Sequence, residues 1–272
     1  MAPTLIVLEA TGGFETIVTA ALAGDGLPIV VVNPRQIRDF ARAMGRLAKT
    51  DALDAAVIAL FAERVRPAVR PLPDQDRVEL ADLVGRRRQL IGMITAENNH
   101  RRRTAVPKLA RRIERHVEWL QKELTAIETE IDDRVRRIPA WQEAADLLAS
   151  VPGVGPALCR VLLAELPELG TIDRRKISAL VGVAPMNHDS GQMRGRRAIR
   201  GGRSDVRAAL YMAALVASRC NPQIRDLYQR LLARGAAKKA ALTACMRKLL
   251  TMLNAILRSR KPWHNAETQP SI

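Results

Sequence analysis

The stretch Leu27-Pro-Ile-Val-Val-Val-Asn33 sets four β-branched residues in a row, and the Asn-Pro pair that follows is a turn signal. A second short apolar run, residues 4–8, precedes it. Between the two runs, Thr11-Gly12-Gly13 turns the chain into helical sequence. Because strand, helix and strand follow one another, this order predicts a parallel pair of strands in an α/β sheet.

The segment after this sheet is predicted to be helical. Thr50 or Asp51 is a suitable N-cap, and the helix is expected to run to about Val65. Prolines at positions 67, 71 and 73 then mark a boundary, so the α/β domain is predicted to occupy residues 1–66.

A long charged region follows, and residues 67–138 are predicted to form a helical arm interrupted at Pro107. The second half of the arm has apolar residues close to heptad spacing, which is typical of a coiled-coil seam. The seam is built from Ile113, Val117, Leu120, Leu124, Ile127, Ile131 and Val135. It either packs on the helix of residues 80–94 as an antiparallel hairpin or pairs with another subunit. A pattern of barely three heptads favours packing within the chain.

The third region, residues 139–264, is predicted to be all-helical, and residues 265–272 are predicted to be a disordered tail. Its first part has the form of a helix-hairpin-helix, with Pro152-Gly-Val-Gly155 as the turn. In that motif the turn amides, here those of Gly153 and Gly155, bind a backbone phosphate without reading sequence. An ordinary connection between two helices is the alternative.

Positive charge is concentrated near the C-terminus. The chain has a formal net charge of +16, and residues 190–262 hold 17 Lys and Arg against the two acids Asp205 and Asp226. Glycines interleaved with the arginines allow the backbone to approach phosphate closely, so the segment predicts a nucleic-acid site rather than a merely solvated basic face. The candidate contacts are Arg194, Arg196, Arg197, Arg200 and Arg203.

Composition narrows the compartment and the class of partner. The three cysteines lie far apart without metal-ligand spacing, which suits a reducing compartment. Neither a signal peptide nor a spanning apolar run is recognised, and no amphipathic anchor rich in aromatic residues accompanies the basic charge. The sequence therefore predicts a cytoplasmic, nucleoid-associated protein that has no membrane partner.

Three carboxylates form a candidate metal site. Glu9 ends the first apolar strand, while Asp51 and Asp54 stand three residues apart on one helical face. If the fold brings them together, they suit Mg²⁺ or Mn²⁺, which activate a hydroxyl for displacement at phosphorus. The alternatives are a helix cap, a surface acid and a strand-end residue. Ser190 leads the basic segment and is the candidate nucleophile, with His188 as a neighbour rather than a clear base.

Taken in order, several motifs resemble the insertion sequence 110 family of transposases over nearly the whole chain. They are Leu8-Glu-Ala-Thr-Gly-Gly13, Val32-Asn-Pro34, Lys49-Thr-Asp-Ala-Leu-Asp-Ala55, Pro152-Gly-Val-Gly155 and Gly182-Val-Ala-Pro185 followed by Asp189-Ser-Gly191. The resemblance implies an RNase H and resolvase-like nuclease domain with an acidic tetrad, a coiled-coil arm and a C-terminal transposase domain.

The resemblance also implies residue roles and partners. Glu9, Asp51 and Asp54 would be the second, third and fourth acids of the tetrad, and Ser190 the nucleophile. The implied partners are donor and target DNA, a guide RNA made by the element, and further copies of the chain in a dimer or tetramer. Strand exchange would proceed through a phosphoserine link, which keeps bond energy for religation.

The N-terminus departs from the family pattern. Family members carry the first aspartate in a Gly-Ile-Asp-like strand, with two more strands before the position of Glu9, where this sequence has eight residues. We therefore expect the polypeptide alone to have weak or no catalytic activity. The alternatives are a shortened, inactive relative that only binds DNA or RNA, a metal-dependent junction nuclease without a serine intermediate, and a scaffold built on the arm.

Overall fold

The protein divides into two compact units, residues 1–74 and 75–272, in a computed structural model of the chain. The structure describes residues 3–46, 51–69, 74–186, 189–190, 193–194 and 198–264, without the side chains of 51–53, 189–190 and 193–194. The predicted tail, residues 265–272, lies outside this range. Each unit has its own core and is described separately below.

The first unit is a small α/β layer. It contains β1 (Ile6–Glu9), α1 (Glu15–Gly24), β2 (Ile29–Val32), α2 (Pro34–Ala43) and α3 (Asp51–Val65). The strands pair in parallel, with Ile6 opposite Ile29 and Glu9 opposite Val32, which confirms the predicted pair. The predicted helix to Val65 is also present.

One apolar cluster holds the strands to α2 and α3. It is built on Val32, Ile37, Val57 and Phe61, and Phe40 meets the ring of Phe61 edge-on at 5.4 Å. The sequence analysis did not predict α2. The Asn-Pro pair could have predicted this helix. Asn33 is its N-cap and accepts a hydrogen bond from the Arg35 amide, and Pro34 fills the first helical position.

The second unit begins with a hairpin of two long helices, α4 (Gln75–Arg103) and α5 (Pro107–Arg137), which pack against each other. This confirms the long helical region and its interruption at Pro107, and the seam packs within the chain. Leu120, Ile131 and Val135 of the seam are buried, as are Leu80 and Leu90 of α4. Association of the arm with another subunit stays a prediction.

The base of the hairpin is fixed to the helices that follow it. Arg160 of the later helix α7 (Pro156–Glu165) donates two hydrogen bonds to Asp132 of α5, at 2.9 and 2.7 Å, and lies 3.1 Å from Glu128. Glu128 in turn accepts from Arg87 of α4 at 2.7 Å. Charged side chains therefore join α4, α5 and α7 beside the apolar cluster of Leu80, Ile131 and Trp141.

Six further helices lie in the described part of the unit: α6 (Pro139–Ala149), α7 (Pro156–Glu165), α8 (Arg174–Val181), α9 (Ser204–Cys220), α10 (Pro222–Ala233) and α11 (Lys238–Ser259). By length and composition, α11 is apolar enough to cross a membrane, but it forms the centre of this bundle. Leu249, Leu250 and Leu253 of α11 are fully buried. The helix packs against α6, α8, α9 and α10.

The prediction of an all-helical third region is wrong in the basic segment. Four two-residue strands interrupt it: β3 (Pro185–Met186), β4 (Asp189–Ser190), β5 (Met193–Arg194) and β6 (Ala198–Ile199). β3 pairs with β6 and β4 with β5, both antiparallel. Strands this short are set by pairing across the loop, which residue propensity does not reveal.

Candidate functional site

The basic segment between α8 and α9 is closed at its base by a backbone contact between glycines. Gly182, the C-cap of α8, has φ 76°, and Gly202 has φ 70°. A Cβ on Gly182 would overlap the carbonyl oxygen of Gly201, and a Cβ on Gly202 would overlap the amide nitrogen of Gly182. Only glycine allows this approach at positive φ, so the two ends of the segment meet.

Arginines reinforce this closure. The Arg203 amide donates to the Leu180 carbonyl at 3.2 Å. The guanidinium of Arg207 donates to the carbonyls of Val181, at 3.3 Å, and Gly201. Arg207 therefore holds the two ends of the basic segment together, at Val181 and Gly201. The segment between them is a loop with a fixed base.

Ser190 lies at the far end of this loop. The backbone of Ser190 pairs with Met193 and that of Asp189 with Arg194, so only Gly191 and Gln192 separate the two strands. A short antiparallel ribbon thus carries the predicted nucleophile, although its side chain lies outside the described residues. In the chain, β4 and β5 lie between β3 and β6, which pair with each other as a separate two-stranded sheet.

The candidate arginines of the loop differ in their surroundings. Arg200 is exposed. Arg203 instead donates to both carboxylate oxygens of Glu168, at 2.6 and 2.7 Å, and to the Glu165 carbonyl at 2.7 Å. The geometry gives Arg203 a structural contact, and its phosphate contact stays a prediction. Arg194 lies in β5 with only its backbone described, and Arg196 and Arg197 lie outside the described residues.

A partly exposed ion cluster lies beside the base of the loop. The Arg88 Nη1 atom lies 2.9 Å from Glu165 and 2.9 Å from Asp205, so one guanidinium bridges two carboxylates. Burial raises the pKa of Glu165, and the nearby charge of Asp205 adds to this, while Arg88 and Arg203 oppose it. The cluster connects α4 and α7 to the first turn of α9.

The two glycines of the turn between α6 and α7, Gly153 and Gly155, have different surroundings. Gly153 has φ 94°, and a Cβ there would lie 2.6 Å from the Cα of Ala217 in α9. Gly155 is exposed, has no atom within 4 Å of its Cβ direction, and is the N-cap of α7 without a side-chain cap. Gly153 thus serves close packing, while Gly155 leaves the start of α7 open to an anion.

In the first unit, packing brings Glu9 and Asp54 to the same end. Thr4 and Leu5, at the start of β1, line one cavity with Ala62 and Arg66, at the end of α3. The strand and helix therefore run in opposite directions, and Glu9 at the end of β1 lies toward the first turns of α3.

Both Glu9 and Asp54 are half-buried. The backbone of Asp51 begins α3, one turn before Asp54, and its side chain is not among those described. Within the described side chains, no group of three or more His, Cys, Asp or Glu residues is placed to hold a metal ion. Two of the three predicted carboxylates are thus positioned on neighbouring elements, and both offer the hard oxygen ligands that Mg²⁺ and Mn²⁺ prefer.

Another carboxylate, Glu15, was not singled out in the sequence. It accepts hydrogen bonds from the Thr11 and Gly13 amides, each at 2.9 Å, and from the Thr11 hydroxyl at 3.0 Å. These bonds, first of all that from the Thr11 amide, lower the pKa of Glu15. The residue thus fixes the turn that follows Glu9. The sequence feature that could have predicted this contact is Glu15 at the start of a helix, four residues after Thr11.

Comparison with known proteins places both units in one family. A model described as "Transposase IS116/IS110/IS902 family" matches residues 145–229, which include the α6–α7 turn and the Ser190 loop. A second transposase model, for the IS110 proteins with the Asp-Glu-Asp-Asp site, matches residues 2–106, which include Glu9, Asp51 and Asp54. The chain belongs to the IS110 family of transposases.

Curated relatives agree with this membership. The IS110-family chain is 24% identical over 262 residues to the pilin gene-inverting protein of Moraxella bovis, an alignment that covers 95% of the chain and 81% of the relative. It is also 33% identical over 162 residues to the 42 kDa protein of insertion element IS900 from Mycobacterium paratuberculosis, covering 55% of the chain and 39% of that protein. The protein is accordingly a transposase, an enzyme of DNA recombination.

Proposed function

We propose that this transposase breaks and rejoins DNA strands with Ser190 as its nucleophile. The observation that carries the proposal is the position of Ser190 on the short ribbon of a strongly basic loop whose base is fixed by Gly182 and Gly202. A fixed base reduces the entropy lost when a flexible loop positions a reactive group. A surrounding excess of arginine attracts the phosphate that the serine must attack.

The chemistry is an exchange of phosphodiester bonds. The Ser190 Oγ loses its proton and bonds to phosphorus, and the bond from phosphorus to one sugar oxygen breaks, with that oxygen taking up a proton. A hydroxyl of the second strand then displaces Ser190 in the reverse sense. Each step replaces one phosphoester with another, so rejoining needs no external energy source. Arg200 and the loop arginines Arg194, Arg196 and Arg197 would neutralise the charge at phosphorus.

Glu9, Asp51 and Asp54 are proposed to hold Mg²⁺ or Mn²⁺ in an RNase H-like site. The support is the shared position of Glu9 and Asp54 at one end of the first unit, with Asp51 one turn before Asp54. When bound, such an ion stabilises charge on the oxygens of a displacement at phosphorus. The carboxylates themselves supply the negative charge that retains the cation in a basic protein.

The proposed partners are the donor and target DNA, a guide RNA of the element, and further copies of the chain in a dimer or tetramer, acting in the cytoplasm on the nucleoid. The α6–α7 turn is proposed to bind a backbone phosphate, with Gly155 as the contact and Gly153 as the residue that seats the turn on α9. Sequence choice through RNA pairing suits a chain with 3% aromatic residues.

The test separates chemistry from binding. Recombination between plasmids that carry a donor and a target site is measured, with the element's transcribed RNA and Mg²⁺, for the wild type, Ser190→Ala and Asp54→Asn. Efficient recombination by the wild type would overturn the expectation of weak or no activity, and its absence would favour the alternative of a relative that only binds DNA or RNA. Both variants are expected to lose recombination and to keep salt-sensitive DNA binding, since neither removes a positive charge. Recombination by Ser190→Ala at the wild-type level would refute the serine, and recombination by Asp54→Asn would refute the acidic site.

A further inference from the structure

A second basic surface lies on the hairpin arm, more than 70 residues before Ser190 in the chain. Residues three and four apart on a helix share a face, and one face of α5 is cationic and aromatic. We call it the α5 stripe, and its members are Lys108, Arg111, Arg112, Arg115, His116 and Trp119. All six side chains are exposed, whereas Ala110, Val117 and Leu120 turn to the opposite, buried side.

The lysine and arginines of the stripe are not neutralised by the protein, whereas the His116 Nδ1 atom lies 3.7 Å from a carboxylate oxygen of Glu97 in α4. Among the residues that the structure describes, Lys108, Arg111, Arg112 and Arg115 form no ion pair, and the carboxylate of Glu114 is taken by Arg101 at 2.5 Å. Between residues 101 and 119 the sequence has seven Lys and Arg against two Glu. A cationic row without acidic partners is the electrostatic signature of a surface that meets phosphates.

Trp119 gives this surface a second kind of contact. Its side chain is 52% exposed on the arm, so about half of it is available for a contact with a ligand. The indole is stacked with the His116 ring at a centroid distance of 6.2 Å and an interplanar angle of 20°. An exposed, pre-oriented aromatic face beside arginines is how proteins that bind single strands hold a base.

The base must be accessible for this contact to form. In a duplex the bases are stacked inside the helix, so duplex DNA meets the cations of the stripe but not the indole. We propose that the α5 stripe binds unpaired nucleotides, with Lys108 to Arg115 on the phosphates and Trp119 stacked on a base. The stripe is about 16.5 Å long, because its first and last residues are eleven helical steps of about 1.5 Å apart.

This inference goes beyond the proposed strand exchange, because it involves neither Ser190 nor the acidic site. It rests on the proposed function only in taking nucleic acid as the substrate. An unpaired strand is supplied either by a loop of RNA or by DNA opened during recombination. Both share the chemistry that the stripe recognises, and the experiment below distinguishes them.

Fluorescence anisotropy with the full-length protein tests the proposal. The probes are labelled oligouridylate and oligothymidylate of about 12 nucleotides, a length within the usual site sizes, and a duplex of the same length. Trp119→Ala is expected to weaken binding of the single strands about 5- to 150-fold. Trp119→Phe is expected to restore most of the affinity, since it restores an aromatic face.

The cations are tested by the salt dependence of the same binding. Arg112→Ala with Arg115→Ala is expected to lower the slope of log K against log salt by about 1.4, at about 0.7 per phosphate of a single strand. The matched control is Arg86→Ala with Arg137→Ala, which removes two exposed charges from the arm outside the stripe. This control is expected to leave affinity and slope unchanged.

The proposal is overturned if the stripe variants bind single strands like the wild type, if the control pair loses as much, or if Trp119→Ala weakens duplex binding equally. Tighter binding of oligouridylate assigns the site to RNA, and equal or tighter binding of oligothymidylate assigns it to an unpaired DNA strand. The assay requires no cleavage. Its outcome is therefore independent of whether Ser190 forms a bond to DNA.

Discussion

Gly153 and Gly155 stand two residues apart in the α6–α7 turn, but their surroundings differ. Gly153 has positive φ and faces the backbone of Ala217, whereas Gly155 has φ −102° and open space. We expect Gly153→Ala to reduce the free energy of unfolding by about 2–6 kcal/mol, from backbone strain and overlap together. Chemical denaturation followed by circular dichroism measures this loss.

Gly155→Ala is the matched control and should cost no more than about 1 kcal/mol, since it changes only a cap. If Gly155→Ala were the more destabilising of the two, the packing assigned to Gly153 would be incorrect. This pair also shows a limit of sequence reading. The Pro-Gly-Val-Gly string predicted the turn, but which glycine faces α9 depends on a partner more than 60 residues away.

Arg200 and Arg203 form a second pair at the residue scale. Arg203 is engaged by Glu168 and the Glu165 carbonyl, so Arg203→Ala should cost about 1–3 kcal/mol of stability, reduced by partial exposure. Because Arg200 is exposed, Arg200→Ala should lower the free energy of unfolding by less than about 0.5 kcal/mol. Arg200→Ala should instead weaken DNA binding and lower its salt slope.

Thermal unfolding and anisotropy with duplex DNA, run on both variants, separate the two roles. Equal loss of stability in both, or a loss of DNA binding confined to Arg203→Ala at unchanged stability, would contradict the assignment. From the sequence, these two arginines were indistinguishable members of one basic run. The distinction depends on a carboxylate 35 residues away, which no local pattern reveals.

At the scale of elements, the ion network at the base of the arm gives a sharp prediction. Arg160 is only 12% exposed and makes a two-bond contact with Asp132. Arg160→Ala leaves Asp132 and Glu128 partly buried without this partner, so we expect a loss of about 2–4 kcal/mol. Denaturant unfolding measures this loss of stability. Amide hydrogen exchange in the C-terminal half of α5, which contains Glu128 and Asp132, should accelerate.

Arg136→Ala is the control on α5, the helix that carries Asp132, because its pair with Asp133 is exposed at 64% and 45%. Such pairs contribute between zero and about 1 kcal/mol. If Arg160→Ala lost as little stability as Arg136→Ala, the arm would be held by apolar packing alone.

Long elements were predicted well. The parallel pair follows from runs of β-branched residues, α3 from its cap and apolar run, and α5 from the helical spacing of its apolar residues. The helices α2, α8 and α10 were missed because each has at most 12 residues. Their caps, Asn33, Asp173 and Asn221, were the available signals, since each side chain accepts a backbone N–H.

At the scale of the whole molecule, the family could be named from an ordered set of short motifs, and both family models bear this out. The charge distribution was read less completely. Positive charge is most concentrated after residue 190, whereas residues 67–138 of the arm hold 16 Lys and Arg against 12 acids. Only the fold shows that Trp119 and the arginines of the α5 stripe are exposed, whereas Arg134 of the same helix pairs with Glu79 of α4.

A covalent bond between Ser190 and DNA is the central feature of the proposed strand exchange. The measurement is a denaturing gel of labelled duplex carrying the element's end, incubated with the protein, the element's RNA and Mg²⁺, for the wild type, Ser190→Ala and the control Ser204→Ala. We predict a protease-sensitive protein–DNA band in the wild type and in Ser204→Ala, and none in Ser190→Ala. Strand exchange by the wild type without such a band, or a band that persists in Ser190→Ala, would contradict the account.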